Sequence, residues 1–348
     1  MSSASPSSPT AVSGAKRPRL LSGMQPTGGL HIGNYLGALK NWVSLVQSEQ
    51  YEALFCIVDA HAITVDYKPK ELKQRILDAA VSYIAAGLDP EKCSIFVQSD
   101  VSQHMELAWY LAAVTPMGDL SRMTQFKEKS DQNKQNVNAG LFTYPILMAA
   151  DILVYRAGAV PVGEDQVQHL ELTREIARRF NQRFKPLFPE PEPLLSVAPR
   201  IMGIDGKSKM SKSRGNTIDM LDPPQVVEKK VKRAFTDPNK LREGDPGNPS
   251  ICNIFTIHKA VTPPEDVARI DRDCRSGALG CGACKAELVE NLNRELEPIR
   301  RRAADLSADS KRVLKILDQG RDHARTLAER TMGDVRGAMG LGTSGHSR

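Results

Sequence analysis

The chain has 348 residues, of which 41% are hydrophobic, and its formal net charge is +6 with a pI near 8.9. This length and composition predict a globular protein of roughly two domains, and no apolar run reaches the roughly 18 residues of a membrane span. The mildly basic charge permits binding to nucleic acid without demonstrating it.

The first 18 residues are rich in Ser, Pro and Ala and contain no acidic side chain. They lack the continuous apolar segment of a secretory signal, so we expect a cytoplasmic protein. We interpret residues 1–18 as a disordered tail, with the remnant of an organellar transit peptide as the alternative.

Strand-like and helix-like segments alternate between residues 19 and 100. An apolar helix face follows the first strand, and a second helix over about 69–86 stops at Gly87. The three apolar runs of strand length are 19–21, 53–58 and 94–97, and the face of the first helix carries Leu36, Leu39, Trp42, Val43 and Val46. Buried strands joined by amphipathic helices predict an α/β fold with a doubly wound, Rossmann-like parallel sheet.

The rest of the chain is mostly helical in pattern. We interpret about 105–185 as a helical insertion containing a mobile connection, Gln125–Asn138, and expect a proline-rich link over 186–193 before 198–202 returns to the sheet. After Asp222 the sequence is charged and helical, with basic clusters at 229–233 and 300–302. The predicted units are a tail at 1–18, a nucleotide-binding catalytic domain at 19–216 and an α-helical C-terminal domain at 217–340.

A glycine-rich turn precedes the predicted first helix. Its glycines let backbone amides approach an anion, and the helix N-terminus adds positive potential. His31 and Asn34 are suited to donate to phosphate or ribose, and Gln25 adds a polar contact; the glycines are Gly23, Gly28, Gly29 and Gly33. Taken alone, the segment also fits an ordinary strand-to-helix turn.

A second motif, Lys209–Ser213, has the sequence Lys-Met-Ser-Lys-Ser and lies between Gly206 and Gly215. Two lysines on a small-residue loop are suited to close over a polyphosphate and stabilise charge on the β- and γ-phosphates as pyrophosphate leaves. A solvated basic loop is the alternative for this motif alone, but its occurrence together with the glycine-rich turn favours ATP binding. Lys209 and Lys212 are the candidate catalytic cations.

Asp151 stands on an apolar helix face, with Tyr144, Leu147, Met148, Ile152 and Tyr155 at helical spacings. A buried carboxylate without a partner costs about 1–3 kcal/mol. Two partners stay open: a ligand that donates a hydrogen bond, such as an indole N–H, or a structural partner such as a backbone amide or Arg156.

Four of the six cysteines follow the pattern Cys-x21-Cys-x6-Cys-x2-Cys; they are Cys252, Cys274, Cys281 and Cys284. A cytosolic chain disfavours disulfides, and four thiolates suit either a tetrahedral zinc ion or a four-iron cluster. The spacing does not choose between them. Cys56 and Cys93 are interpreted as small core residues.

The glycine-rich turn with His31–Asn34 and the motif Lys209–Ser213 resemble the two ATP-binding motifs of class I aminoacyl-tRNA synthetases. Further segments narrow the resemblance, which covers about residues 20–342, to tryptophanyl-tRNA synthetases of the bacterial type: 57–64, 123–130, 148–153 and 160–166. The resemblance implies activation of L-tryptophan with ATP and Mg²⁺, transfer to tRNA(Trp), a homodimer formed through the catalytic core, and anticodon recognition by the C-terminal helices.

The resemblance also implies site residues. Asp151 accepts the indole N–H in a pocket that includes Gly23, Tyr144, Met148, Ile152, Val160, Val162 and Gln166. Catalysis falls to Lys209, Lys212, Gln25 and Lys129, the last as a mobile phosphate contact. ATP is lined by Gln25, Pro26, Thr27, His31, Gly33, Asn34, Gly163, Glu164, Asp165, Ile201, Lys209, Met210, Ser211, Lys212 and Ser213.

Three details of the resemblance lead to separate expectations. Leu21 stands where related enzymes often carry an aromatic near the indole, which puts the tightness of the pocket in question, and His61 is interpreted as structural. The cysteine pattern is similar to that of a subset holding a [4Fe–4S] cluster, with one residue of difference in the longest gap. We therefore expect a cluster with a structural or RNA-sensing role, and zinc is the alternative.

Three other functions stay open on sequence. A tyrosine-activating relative shares both ATP motifs, a catalytically idle RNA-binding module shares the fold, and a small adenylyltransferase shares the core. Intact lysines, His31, Asn34 and Asp151 disfavour the idle module, and the helical C-terminal region together with the lysine loop disfavours the adenylyltransferase.

Overall fold

The computed structural model describes residues 17–124, 137–195, 201–242 and 244–343. Within these residues a five-stranded, fully parallel sheet has the order β3-β2-β1-β4-β5. The chain winds outward from β1 in both directions, so the topological switch lies between β1 and β4, where α/β proteins bind ligands. The strands are β1 Arg19–Met24, β2 Glu52–Ile57, β3 Cys93–Val97, β4 Ala159–Val162 and β5 Glu192–Leu195.

The helices of the sheet region confirm the predicted alternation. The segment after β1 passes through a π-helical turn, Tyr35–Leu39, an irregularity that is frequent at functional sites. The long helix ends at Gly87, whose φ of 116° favours glycine. These helices are α1 Ile32–Asn34, α2 Lys40–Gln47, α3 Asp59–Ala62, α4 Pro69–Ala86, α5 Gln103–Ala112, α6 Met117–Ser121, α7 Ala139–Val154 and α8 Val167–Arg183.

The middle of the chain departs from the sequence-based expectations in two places. The segment 105–185, expected to be mostly helical, also contains β4, and the expected proline-rich link at 186–193 runs into β5. Pro193 is tolerated there because β5 is the edge strand of the described sheet and pairs within it only with β4. Of the expected return to the sheet at 198–202, residues 198–200 lie outside the described residues, and Met202 makes an isolated antiparallel bridge to Lys209 instead. Residues 125–136 of the expected mobile connection also lie outside them.

In the described residues after the lysine loop there are five α-helices, and the last one lies against the sheet. Its Gly320 passes so close to Ile95 of β3 that a side chain there would collide with the strand backbone. No helix within the described ranges is long and apolar enough to cross a membrane. The helices are α9 Pro224–Arg233, α10 Asn253–Val261, α11 Pro264–Ser276, α12 Cys281–Ala308 and α13 Ser310–Met339.

Candidate active site

The glycine-rich turn and the lysine loop meet beside the carboxyl end of β1. Backbone pairing joins them: Ile32 N donates to Ile218 O and Met220 N donates to Leu30 O, each over 2.9 Å. An antiparallel bridge between His31 and Asp219 lies between these two bonds. Two motifs far apart in the sequence therefore form one surface.

Lys212 lies directly over the glycines of the turn. A methyl group at Gly28 would lie 3.1 Å from Lys212 Nζ, and one at Gly29 would lie 3.3 Å from it. Gly28 also has a φ of 105°, which favours glycine. On its other side the ammonium group is 4.0 Å from Asp219 Oδ1, and burial raises the pKa of that carboxyl. The turn and the lysine together form a cationic cradle for an anion.

Asn216 organises the interior of the lysine loop. This buried amide accepts from the Ser211 N–H over 2.8 Å, and its Nδ2 donates to Asp205 Oδ2, Ser208 Oγ and Lys209 O over 3.1–3.3 Å. Lys212–Arg214 forms a 3-10 turn that ends at Gly215, where φ is 64°. The loop therefore has a defined shape even though its lysines face outward.

His31 caps the N-terminus of α1. Its Nδ1 accepts from Asn34 N over 3.2 Å, while Asn34 Oδ1 accepts from His31 N over 3.1 Å. Burial, reinforced by the charges of Lys209 and Lys212, lowers the pKa of His31 to about 4. The imidazole is therefore neutral at pH 7, and since Nδ1 is the acceptor, the proton sits on Nε2. Nε2–H is the group able to donate to a phosphate oxygen.

The other predicted ATP contacts fall into three places. Gln25 and Thr27 belong to the turn itself, where Thr27 N donates to Gln25 O. Gly163, Glu164 and Asp165 are exposed where β4 ends, while Ile201 and Met210 are buried. Lys129 lies outside the described residues, so its predicted contact stays a prediction.

Asp151 lies in α7 and is 4% exposed. Its Oδ1 is bonded by His104 Nδ1 at 2.7 Å and Gln98 Nε2 at 2.6 Å, and its Oδ2 by His61 Nε2 at 2.8 Å. Burial opposes ionisation, but the hydrogen bonds and charges of His104 and His61 outweigh it and lower the pKa of Asp151 to about 2. The group is a carboxylate at neutral pH.

The structural partners suggested by sequence are both replaced. Arg156 bonds to Asp334 over 2.6 Å, and the donors to Asp151 are side chains from other elements. Sequence reasoning missed Gln98 and His104 and did not connect His61 to Asp151. A signal was present for Gln98, which directly follows β3 at the carboxyl edge of the sheet, where ligand-binding groups collect.

Several predicted walls of the amino-acid pocket belong to one buried apolar cluster or pack against it. Ile152, Val160 and Leu21 belong to one buried apolar cluster, against which Met148 and Val162 pack. Tyr144 bonds to His169 Nε2 over 2.8 Å, and its ring centroid is 6.3 Å from that of His61. Gly23 contacts β2 so closely that a methyl group would lie 2.5 Å from Cys56 O. Gln166 is half-buried beyond β4 and donates to Asp165 Oδ2 over 3.0 Å.

The four cysteines of the spaced pattern line a single cavity in the C-terminal region. Its other walls are largely apolar and include Ile254, Phe255, Ile270 and Leu279. Burial raises the pKa of the Cys284 thiol to about 12, with the other three thiols adding to the shift. In the described part of the chain no three His, Cys, Asp or Glu side chains are placed to hold a metal ion as they stand. The cavity gathers the thiols without closing them around a centre.

Asn253 connects this cavity to the lysine loop. It follows Cys252 at the start of α10, is 5% exposed, and donates to Met202 O over 3.2 Å and to Gly203 O over 2.9 Å. Those carbonyls lie in the segment that bridges to Lys209. The base of the loop is therefore fastened from the C-terminal helices.

Comparison with known proteins decides the family. The model of the class I tRNA synthetases (W and Y) matches residues 13–297. The chain belongs to this family. It is 48% identical over 326 residues to the tryptophan–tRNA ligase of Deinococcus radiodurans, covering 93% of this chain and 98% of that protein, and 47% identical over 337 residues to that of Prochlorococcus marinus, covering 94% and 98%.

A solved relative of this synthetase family has the same architecture. The tryptophanyl-tRNA synthetase of Campylobacter jejuni, complexed with ADP and tryptophan, superposes with a TM-score of 0.82 at 36% identity. The match covers 93% of this chain and 100% of that one. The Rossmann-like synthetase fold expected from the sequence is confirmed.

Proposed function

We propose that the chain is a tryptophan–tRNA ligase that activates L-tryptophan with ATP and transfers it to tRNA(Trp). The observation that carries the choice of amino acid is Asp151, a buried carboxylate whose helix neighbour Ile152 belongs to a buried apolar cluster together with Val160. Full-length relatives that are tryptophan–tRNA ligases support the same choice. An indole supplies both an apolar surface for such walls and one N–H for the carboxylate.

The first step needs no general base. The carboxylate of tryptophan is ionised at neutral pH and attacks the α-phosphorus of ATP, which releases pyrophosphate and forms tryptophanyl-adenylate. Catalysis then rests on positioning and on stabilising the charge that develops on pyrophosphate. The position of Lys212 over Gly28 and Gly29 supports this role for the cradle, and we assign to neutral His31 a hydrogen bond donated from Nε2 to phosphate.

The remaining ATP contacts extend this cradle. Asn34 and Lys209 lie beside His31, and Gln25 follows β1 directly. We keep Lys129 as a further phosphate contact and Mg²⁺ as the ion that shares the pyrophosphate charge, both on the family resemblance. Gly163, Glu164 and Asp165 are proposed to contact ATP from the β4 side of the crevice.

In the second step the activated acyl group moves to the terminal ribose of tRNA. We assign anticodon recognition to the helices of residues 217–340. Part of their basic charge has a structural use: Lys230 pairs with Asp222, and Arg302 donates to Ala85 O. Lys229 and Arg301 are exposed and fit phosphate contacts, which give binding that weakens with salt.

Exchange of labelled pyrophosphate into ATP tests the activity directly. We expect exchange that depends on tryptophan and is absent with tyrosine or phenylalanine. Exchange driven by tyrosine would refute the pocket assignment in favour of a tyrosine-activating enzyme. No exchange in folded protein would favour the RNA-binding module.

We also propose a homodimer, formed through an apolar face on α5 and α6. Trp109 is 76% exposed and Met117 67% exposed, a combination that marks an interaction surface. Light scattering should show a dimer for the wild type and a monomer for W109E. L314E changes an exposed leucine of α13 and should stay dimeric. A monomeric wild type contradicts the proposal.

A [4Fe–4S] cluster is our proposal for the cysteine cavity, with zinc as the alternative. The four thiols of the pattern line one apolar-walled space, which fits a thiolate-bound group. Such a group would cross-link the start of α10, the end of α11 and the first turn of α12, a structural role. Its charge would also compensate thiolates that are otherwise disfavoured by burial.

Anaerobically purified protein should show a broad visible iron–sulfur band, together with iron and sulfide. C281S should lose the band, whereas C93S, at a buried cysteine outside the cavity, should keep it. Bound zinc without a visible band would replace the cluster by the alternative, and protein free of both metals would overturn the site.

The compartment proposed for this activity is the cytoplasm, and residues 1–18 stay a predicted tail. N-terminal sequencing of the native protein checks both. An intact N-terminus in a cytosolic fraction is expected, and a start near residue 19 in an organelle would support the transit peptide.

A further inference from the structure

The hydrogen bonds to Asp151 divide unequally between its two oxygens. Among the residues that the structure describes, Oδ1 receives two donors, His104 Nδ1 and Gln98 Nε2, while Oδ2 receives only His61 Nε2. A carboxylate oxygen offers two lone pairs in its plane. Oδ1 is therefore saturated by the protein, and Oδ2 keeps one acceptor position.

The protons in this network are also fixed. An ionised carboxylate only accepts, so His104 Nδ1 must carry a hydrogen. In the tautomer that carries its single hydrogen on Nδ1, the ring accepts at Nε2, and Tyr155 Oη, 2.7 Å away, is the group that can donate a hydroxyl hydrogen to it. The chain Tyr155–His104–Asp151 thus holds one tautomer.

Packing immobilises His104 as well. Its side chain is fully buried, with ring centroids 5.3 Å from Tyr155 and 6.1 Å from Phe96. Phe96 and Tyr155 contact each other edge to face at 5.7 Å. The rings of Phe96 and Tyr155 therefore hold the His104 ring, whose Nδ1 bonds to Asp151 Oδ1, in place.

We propose that His104, set by Tyr155, is a specificity-determining positioning residue that turns Asp151 so that Oδ2 presents its remaining lone pair to the indole N–H. The inference rests on the proposed function, because it assumes that tryptophan is the substrate. It adds which oxygen accepts and which residues aim it. His104 itself does not touch the substrate.

The test compares tryptophan with 3-(benzothienyl)alanine, in which sulfur replaces the indole N–H at nearly unchanged shape. The readout is the ratio of kcat/KM for the two amino acids in pyrophosphate exchange with the full-length protein. A role limited to fold stability would alter both substrates alike and leave this ratio unchanged. Aiming of Oδ2 affects only the substrate that has the N–H.

Two substitutions at His104 separate hydrogen bonding from packing. H104L removes the donor, and we expect the ratio to fall roughly 10-fold or more, as for loss of an aligned hydrogen bond to a charged group. H104N places an amide nitrogen where Nδ1 stood, so the ratio should stay within about 3-fold of the wild type. An H104N ratio as low as that of H104L would overturn the proposal.

Tyr155 provides a second test if H104L does not fold. Y155F removes only the hydroxyl that sets the tautomer, and we expect the ratio to fall roughly 3-fold. T331V removes a buried hydroxyl that bonds within its own helix, and should leave the ratio unchanged. If Y155F has the same kcat/KM ratio as the wild type, the proposal that Tyr155 sets the orientation and tautomer of His104 is refuted.

The failures are distinguishable. If the wild type exchanges with tyrosine rather than tryptophan, or accepts the sulfur analogue equally well, the assignment of Asp151 fails and this inference with it. If the wild type discriminates and H104L does so equally, the proposed function stands and only the positioning role is refuted.

Discussion

On the nucleotide side, the Lys212 ammonium group lies over the glycine turn, and it is 4.0 Å from the Asp219 carboxylate. Asp151, in contrast, is held by three side-chain donors at 2.6–2.8 Å and is 4% exposed. The nucleotide side presents cations able to close on a ligand, and the amino-acid side is set before any ligand arrives. Stabilisation of the pyrophosphate charge and selection of the amino acid are thus assigned to two different groups of residues.

The largest effect is expected from D151A, which removes the acceptor and strands three buried donors. We expect kcat/KM for tryptophan to fall about 10,000-fold, as when a polar site loses its matching group. KM for ATP should change little, because the cradle is built from other residues. If D151A keeps its preference for tryptophan over tyrosine, Asp151 does not determine which amino acid is selected.

K212M tests the nucleotide side. Removing the ammonium that lies over Gly28 should lower kcat about 100- to 1,000-fold, as for loss of one oriented charge donor. The tryptophan/tyrosine preference should persist, since Asp151 is intact. The matched control is K207M, at an exposed lysine of the same loop, which should behave as the wild type. Loss of the tryptophan/tyrosine preference in K212M would contradict the assignment of charge stabilisation and amino-acid selection to separate groups of residues.

The same contrast explains what the sequence predicted. His31–Asn34 and Lys209–Ser213 are contiguous motifs, so they could be recognised directly in the sequence. The parallel sheet was predicted from the alternation of β1 to β3 with helices. Asp151 was also found, because its apolar neighbours share its helix. The three side chains that donate to Asp151 belong to three other elements. Which elements come together depends on the order of the strands in the sheet, which the sequence pattern did not give.

The two strands that the sequence did not predict, β4 and β5, are also recognisable only in the assembled sheet. β4 and β5 have four residues each, and β5 contains Pro193, so neither carries a strong periodic signal. The edge position that makes Pro193 acceptable is a property of the assembled sheet. The role of Asn253 was hidden for a similar reason, since its partners are backbone carbonyls some 50 residues earlier.

N253A sharpens the comparison by loosening the loop from its base. Loss of the two bonds to Met202 O and Gly203 O should raise KM for ATP roughly 10-fold. KM for tryptophan should stay near the wild-type value. N291A, at a half-buried asparagine of α12, is the control and should change neither constant. Equal effects on both substrates would indicate a general loss of structure instead.

The last expected effect is on stability rather than on activity, and it concerns His31, the buried histidine of the nucleotide side. The pKa of His31 is lowered to about 4 in the folded chain, from an ordinary value of 6.5. Below pH 6.5 the unfolded chain therefore binds a proton that the folded chain refuses, so the free energy of unfolding falls between pH 6.5 and 4. Above pH 6.5 His31 contributes no slope.

Urea unfolding of the wild type and H31N, measured from pH 7.5 to 4.5, isolates this contribution because the other histidines titrate in both. The stability difference between the two should shift in favour of H31N as the pH falls. Bound ATP should oppose the shift, because phosphate next to the imidazole favours its charged form and reverses the effect of Lys209 and Lys212. A difference that stays constant with pH would mean that His31 is not held neutral by the two lysines and by burial, and that the nucleotide side is less preformed than its geometry indicates.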